Sequence, residues 1–184
     1  MIDIETKGKR ADTVVLSIGA VRFDPYSNAE ITDTLYLHPN LDQQDLMGRT
    51  CDPATMEWWD KQNSMVKNEA FMTEGRLPVG EVLTKLSEFC MDADAIWSQG
   101  PQFDMVILED LYRSLSIKKP WRYNQVRDSR TLFAVLGDRR MKDSADAHNA
   151  LMDAVSQAWA VQQCMLRYRD VLSLWKLTYG EKDS

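Results

Sequence analysis

Residues 13–24, Thr-Val-Val-Leu-Ser-Ile-Gly-Ala-Val-Arg-Phe-Asp, are apolar and β-branched enough to form a central strand. A central strand needs a neighbour on either edge. The preceding stretch, Met1-Ile-Asp-Ile-Glu-Thr6, reads as a first strand. Residues 31–38 alternate as a third, antiparallel strand after a hairpin turn at 25–28. Residues 39–52 are polar and are expected to form a loop. Asp52-Pro53 then offers an N-cap and a first helical residue for a helix carrying Met56, Trp58 and Trp59. Further helices are predicted at 63–72 and 78–91, the second with Val82, Leu83, Leu86, Phe89 and Cys90 facing the core. A short apolar strand at 95–99 ends at Gly100-Pro101, and a helix over 103–115 carries Val106, Ile107, Leu111 and Leu115 inward. A helix at 129–136 stops at Gly137, and a long one spans about 149–168 behind a lead-in at 144–148. A three-strand meander followed by strands alternating with helices defines an α/β domain with a mixed sheet.

The chain of 184 residues and 21.2 kDa suits one domain, residues 1–184, with a sizeable core. No stretch approaches the ~20 apolar residues of a membrane span, and no charged-then-apolar signal segment opens it. Cys51, Cys90 and Cys164 match no zinc spacing and read as reduced, mostly buried thiols. A cytoplasmic protein with no membrane partner is expected. The net charge of −6 argues against a polyanionic partner, but its distribution argues for one. Between 117 and 142 stand eight basic residues (Lys118, Lys119, Arg122, Arg127, Arg130, Arg139, Arg140, Lys142) against Asp128 and Asp138. That segment carries +6, which leaves −12 for the remainder. Lys7, Lys9 and Arg10 form a smaller cluster. A basic stripe beside an acidic pocket suits a metal-dependent enzyme acting on a polyanion. A solvated helix face would give the same stripe.

Side chains alternate along a strand, so Asp3 and Glu5 point to one face and Ile2 and Ile4 to the other. Two adjacent like charges repel, and a hard divalent cation such as Mg²⁺ or Mn²⁺ turns that repulsion into binding. The alternative is the polar face of an edge strand. Asp104 opens the helix after the fourth strand, where an α/β sheet presents ligand-binding groups; the helix N-terminus also explains a carboxylate there. His148 and Asp153 are five residues apart, which on a regular helix leaves them roughly 140° apart. If Asp153 points into a site, His148 must reach it from before the helix becomes regular. A histidine there can change protonation near neutral pH, or it can be a capping or merely exposed residue.

Asp-x-Glu on the first strand, Asp after the fourth and His-x-x-x-x-Asp on the last helix together resemble the signature of the DEDDh 3′–5′ exonucleases. The segment Thr55-Met-Glu-Trp-Trp-Asp-Lys-Gln62 is similar to that of the subgroup holding exodeoxyribonuclease VIII-like proteins and a mycobacterial-type exoribonuclease. Paired tryptophans also serve as core or interface residues. The resemblance covers residues 1–168 and implies a ribonuclease H-like α/β fold, a mixed five-stranded sheet flanked by helices. It further implies two divalent ions, Mg²⁺ or Mn²⁺, with Asp3, Glu5 and Asp153 on one and Asp3 and Asp104 on the other. His148 would be the general base, and single-stranded RNA or DNA would be shortened to nucleoside 5′-monophosphates.

Ile4 and Thr6 are expected beside the terminal nucleotide, Phe103 to stack on a base or to fill the core, and Arg127 and Arg130 to meet phosphates. Only Met1 and Ile2 precede Asp3, where family members carry several apolar residues. A short first strand, or chain before Met1, is therefore expected. Such exonucleases are often homodimers. A catalytically silent nucleic-acid-binding or adaptor domain on the same scaffold is the competing expectation, although silent relatives normally lose one or more ligands.

Overall fold

The computed structural model describes residues 1–140 and 148–179, with 174–179 described by backbone alone. Lys142, the lead-in residues 144–147 and the side chains of 174–179 lie outside the described residues.

Strands β1 (Ile2–Thr6), β2 (Val15–Val21) and β3 (Thr34–Leu37) form an antiparallel sheet in the order β1-β2-β3. All seven residues of β2 are buried, as its central position requires. Strands β4 (Ile96–Ser98) and β5 (Val126–Asp128) pair in parallel. The α/β architecture is present, but the strands make a three-stranded and a two-stranded sheet rather than the single mixed five-stranded sheet expected. β1 lies beside β4 without a ladder between them, and the Ile4 backbone amide faces the Asp104 carboxylate instead. An amide has one hydrogen, so spending it on a carboxylate removes a ladder bond.

The helices are α1 (Leu41–Leu46), α2 (Pro53–Trp59), α3 (Ser64–Phe71), α4 (Val79–Phe89), α5 (Asp104–Ser114), α6 (Ser129–Leu136) and α7 (Ala150–Tyr179). The expected loop at 39–52 thus contains α1. Its polar composition conceals a helix because its one buried residue is Gln44, whose amide exchanges hydrogen bonds with the Val15 N–H (2.8 Å) and C=O (2.9 Å). Asn40 caps it by accepting from the Gln43 amide.

Cross-strand partners share a face, so the pairs Ile2–Ala20, Ile4–Ile18 and Ile18–Leu37 present one apolar surface. It packs on Val82, Leu83 and Leu86 of α4 and Ile107, Leu108 and Leu111 of α5 in the main core cluster. Val106, expected inward, lies on the exposed side of α5. The opposite face carries Asp3, Glu5, Gly19 and Tyr36 and is covered by α7. Ala150, Ala154 and Ala158, spaced one turn apart, are fully buried there. A Cβ on Gly19 would stand inside contact distance of the Ala150 carbonyl and the Leu151 amide, so only glycine lets the first turn of α7 rest on β2.

Candidate active site

β1 and α7 supply the centre of the site. Asp3 pairs in register with Gly19, and the close approach of α7 at that glycine brings Asp153, one turn into the helix, onto the same sheet face. Ligand atoms of Glu5, His148 and Asp153 lie within 4.8 Å of one another. Asp104, the first residue of α5, reaches the cluster from just beyond β4 and is buried. Gln157, one turn past Asp153, donates from Nε2 to Asp3 Oδ1 at 2.8 Å.

His148 stands outside the helix with a left-handed backbone (φ 73°), a conformation that Asn, Asp and His adopt more readily than most side chains. The regular helix starts at Ala150, so the 140° separation on a helical wheel does not apply. The His148 amide donates to Asp153 Oδ2 at 2.9 Å, and its ring meets Trp58 edge-on.

Burial is the largest influence on each of the four carboxyls. It pushes Asp3 well above the usual carboxylate range, helped by the charges of Asp104 and Asp153 and opposed by the Gln157 hydrogen bond. It pushes Glu5 well up too, reinforced by Asp3, Asp153, Asp104 and Glu69. Asp104 rises to about 7 against the pull of Ser98, backbone amides and Arg130. Asp153 is raised against the His148 amide and the charge of Arg140. Among the described residues no Lys or Arg forms an ion pair with any of the four. Asp104 is buried and the other three are half-buried, and carboxylates so desolvated that repel one another without a paired cation are costly unless something neutralises them. Glu5, Asp153 and the His148 imidazole lie close enough together to hold a divalent cation, with Asp3 and Asp104 outside that group of three.

The expected substrate contacts fall at several distances from this centre. The Ile4 side chain is in the core, with its amide toward Asp104. Thr6 is buried; its hydroxyl donates to the Gly8 carbonyl and its own carbonyl accepts from Trp59 Nε1 at 2.9 Å. Phe103 packs against the main core cluster beside Asp104. Arg130 lies at the rim, its guanidinium against Gly100 and donating to the Gln99 carbonyl at 3.0 Å. Arg127 is not brought to the carboxylates: it donates to the Asn124 and Val126 carbonyls and lines a cavity of about 650 Å³. That cavity, also lined by Met1, Phe23, Phe89 and Trp97, contains none of the five acidic and histidine positions.

Several residues that shape the site escaped the sequence reading. Gln157 could have been found as the i+4 neighbour of Asp153 on a helix. Gly19 and the alanines at 150, 154 and 158 signal a close strand–helix approach, but only when read together. Glu69, in an amphipathically weak helix, gave no such signal.

A half-buried carboxylate cluster with a histidine at its edge is held on an α/β sheet. The chain belongs to the family of 3′–5′ exoribonuclease Rv2179c-like domains, whose model matches residues 1–165. Membership places it among the nucleases, the hydrolases of phosphodiester bonds. A search of curated proteins found no match. Among the described residues no helix is long and apolar enough to cross a membrane.

Proposed function

We propose that the chain is a divalent-metal-dependent 3′–5′ exonuclease of the DEDDh type and ribonuclease H-like build, shortening single-stranded RNA to nucleoside 5′-monophosphates. The observation that carries this reading is the convergence of Glu5, His148 and Asp153 within 4.8 Å. The family's name supports RNA over DNA as substrate.

Asp3, Glu5 and Asp153 would hold one Mg²⁺ or Mn²⁺, and Asp3 and Asp104 a second. When bound, such a pair supplies positive charge to both the attacking and the leaving oxygen of an in-line displacement. The chain's own part is proton transfer and orientation. The His148 imidazole takes the proton of the attacking water, and its backbone bond to Asp153 keeps the ring beside Glu5. Gln157 holds Asp3 through Oδ1, which leaves Oδ2 free of that bond to ligate. Arg130 at the rim meets the phosphate backbone. A silent binding domain on this scaffold would be expected to lack one of the five groups, and all five are present.

The test is incubation of 5′-labelled single-stranded RNA and its DNA counterpart with Mg²⁺, Mn²⁺ or chelator. A ladder shortening from the 3′ end only with metal, faster on RNA, is expected. No cleavage of either by folded protein that binds Mn²⁺ would overturn the reading in favour of a binding module.

A further inference from the structure

A second polar cluster adjoins the carboxylates and plays no part in the chemistry above. Glu69, on α3, accepts from Tyr36 Oη at 2.6 Å, shares a 2.9 Å hydrogen bond with His38 Nε2, and accepts from Asn149 Nδ2 at 3.3 Å. Asn149 Nδ2 also reaches Tyr36 Oη at 3.2 Å. Tyr36 pairs in register with Gly19, so the cluster lies on the same sheet face as Asp3 and Glu5.

Asn149 joins His148 to α7. Its Oδ1 accepts from the amides of Leu151 (3.1 Å) and Met152 (3.0 Å), which caps the helix. Capping needs only that oxygen, and Asp, Ser or Asn supply it about equally well. The amide nitrogen, spent on Glu69 and Tyr36, exceeds what the helix end requires. Glu69 itself sits close enough to Glu5 for its charge to disfavour the ionised form of that residue. A carboxylate is thus placed where it opposes the site electrostatically, and three hydrogen bonds hold it there. What it gains is a grip on the residue that follows the strained His148 backbone.

We propose that Glu69, acting through the Asn149 amide, is a positioning residue for His148. The carboxylate fixes the peptide that presents the imidazole, so the ring meets the attacking water without a search. This rests on His148 being the base.

Asn149→Asp tests it, because the variant keeps the cap oxygen but loses the donor and sets a second carboxylate against Glu69. The expected result is a kcat lower by about ten- to a hundredfold, the scale of a misplaced catalytic group. KM and Mn²⁺ affinity should stay near the parent values, and kcat is compared where both proteins are folded, since the like-charge contact lowers the thermal midpoint. Adding Glu69→Gln supplies an amide donor to the new carboxylate and leaves an oxygen for Tyr36 and His38, so the double variant should recover most of kcat. The chain has two histidines, so imidazole proton spectra of the metal-free protein resolve each. The His148 signal should shift or broaden in Asn149→Asp and return in the double variant. Glu69→Gln alone carries the same expectation and serves if Asn149→Asp does not fold. Full kcat, an unmoved His148 signal, or no recovery in the double variant would each overturn the proposal. His148→Ala separates the two readings: normal turnover there sinks the base assignment itself. An inactive His148→Ala beside a fully active Asn149→Asp rejects the positioning role alone.

Discussion

The Trp58 ring lies edge-on to the His148 imidazole, centroids 4.7 Å apart and planes at 85°. Its neighbour Trp59 is fully buried and donates Nε1–H to the Thr6 carbonyl, holding the end of β1. Adjacent tryptophans therefore do separate work. Trp59→Ala should cost about 3–5 kcal/mol of stability, the range for deleting a buried aromatic. Trp58→Ala removes an edge contact of about 0.5–1.5 kcal/mol from a half-exposed ring, and its effect should fall mainly on turnover. Urea denaturation alongside kcat separates the two; equal destabilisation by both would contradict the division.

His148→Ala should lower kcat by about a hundredfold or more while leaving Mn²⁺ affinity within a few-fold, as for loss of a general base. Asp3→Asn and Asp153→Asn should instead weaken Mn²⁺ binding itself. Calorimetric titration of the three variants checks this. A collapse of Mn²⁺ binding in His148→Ala would make the imidazole a ligand in place of a base.

The desolvated carboxyls set a pH dependence whose sign follows from their raised pKa values. A carboxyl with a folded-state pKa above its unfolded value favours the folded state while protonated. That contribution is complete below about pH 4 and is lost as pH rises through the folded value, about 7 for Asp104. Metal-free protein should therefore lose stability from this group across pH 4 to 7. His38 is lowered by burial and acts in the opposite sense, so the clean measurement is the difference between the parent and Asp104→Asn. The parent's melting temperature relative to Asp104→Asn should fall with rising pH in chelator, and Mn²⁺ should stabilise the parent more at pH 8 than at pH 5. A relative melting temperature that rises with pH would refute the assignment.

Gly19→Ala places a methyl group against the backbone of Ala150 and Leu151, where no flexible side chain can yield. Overpacking of this kind costs about 1–3 kcal/mol, and here the first turn of α7 must move to relieve it. Asp153 moves with that turn, so Mn²⁺ affinity should drop although no ligand has been changed. Thermal melts and Mn²⁺ titration read the two effects; a stable variant with intact affinity would show that α7 is not seated as described.

Arg130→Ala should weaken RNA binding at low salt and reduce the slope of log affinity against log salt by about 0.7, the single-strand value for one phosphate contact. Arg127→Ala, remote from the carboxylates, serves as comparison. Equal slopes for Arg130→Ala and the parent would remove Arg130 from the phosphate path.

The elements with strong local signals were legible in the sequence. The 13–24 run holds β2, Gly137 ends α6, and Asn63 and Asp52 sit at helix starts as read. The long helix read from about residue 149 starts at Ala150, which leaves His148 outside it. β5, three residues long, was too short to locate by pattern, and α1 hid behind a buried glutamine. The division into two sheets depends on how β1 and β4, about 90 positions apart, come to lie side by side, which no local pattern encodes. Glu69 belongs to the same category, since its three partners come from β3, from just beyond β3 and from the start of α7.

Asp3 and Glu5 stand on the three-stranded sheet, Asp104 follows the end of the two-stranded one, and no ladder joins them. Ile96 of β4 and Ile2 and Ile4 of β1 belong to the same apolar core along that line. The acidic cluster therefore straddles a seam, and the proposed ion shared by Asp3 and Asp104 would also be a rivet between the two halves. An ion held by Asp3 and Asp104 would be stripped by chelator, leaving core packing and the Ile4 amide on Asp104 to join the halves. Hydrogen exchange along β4 and β5 is where that loosening would register first.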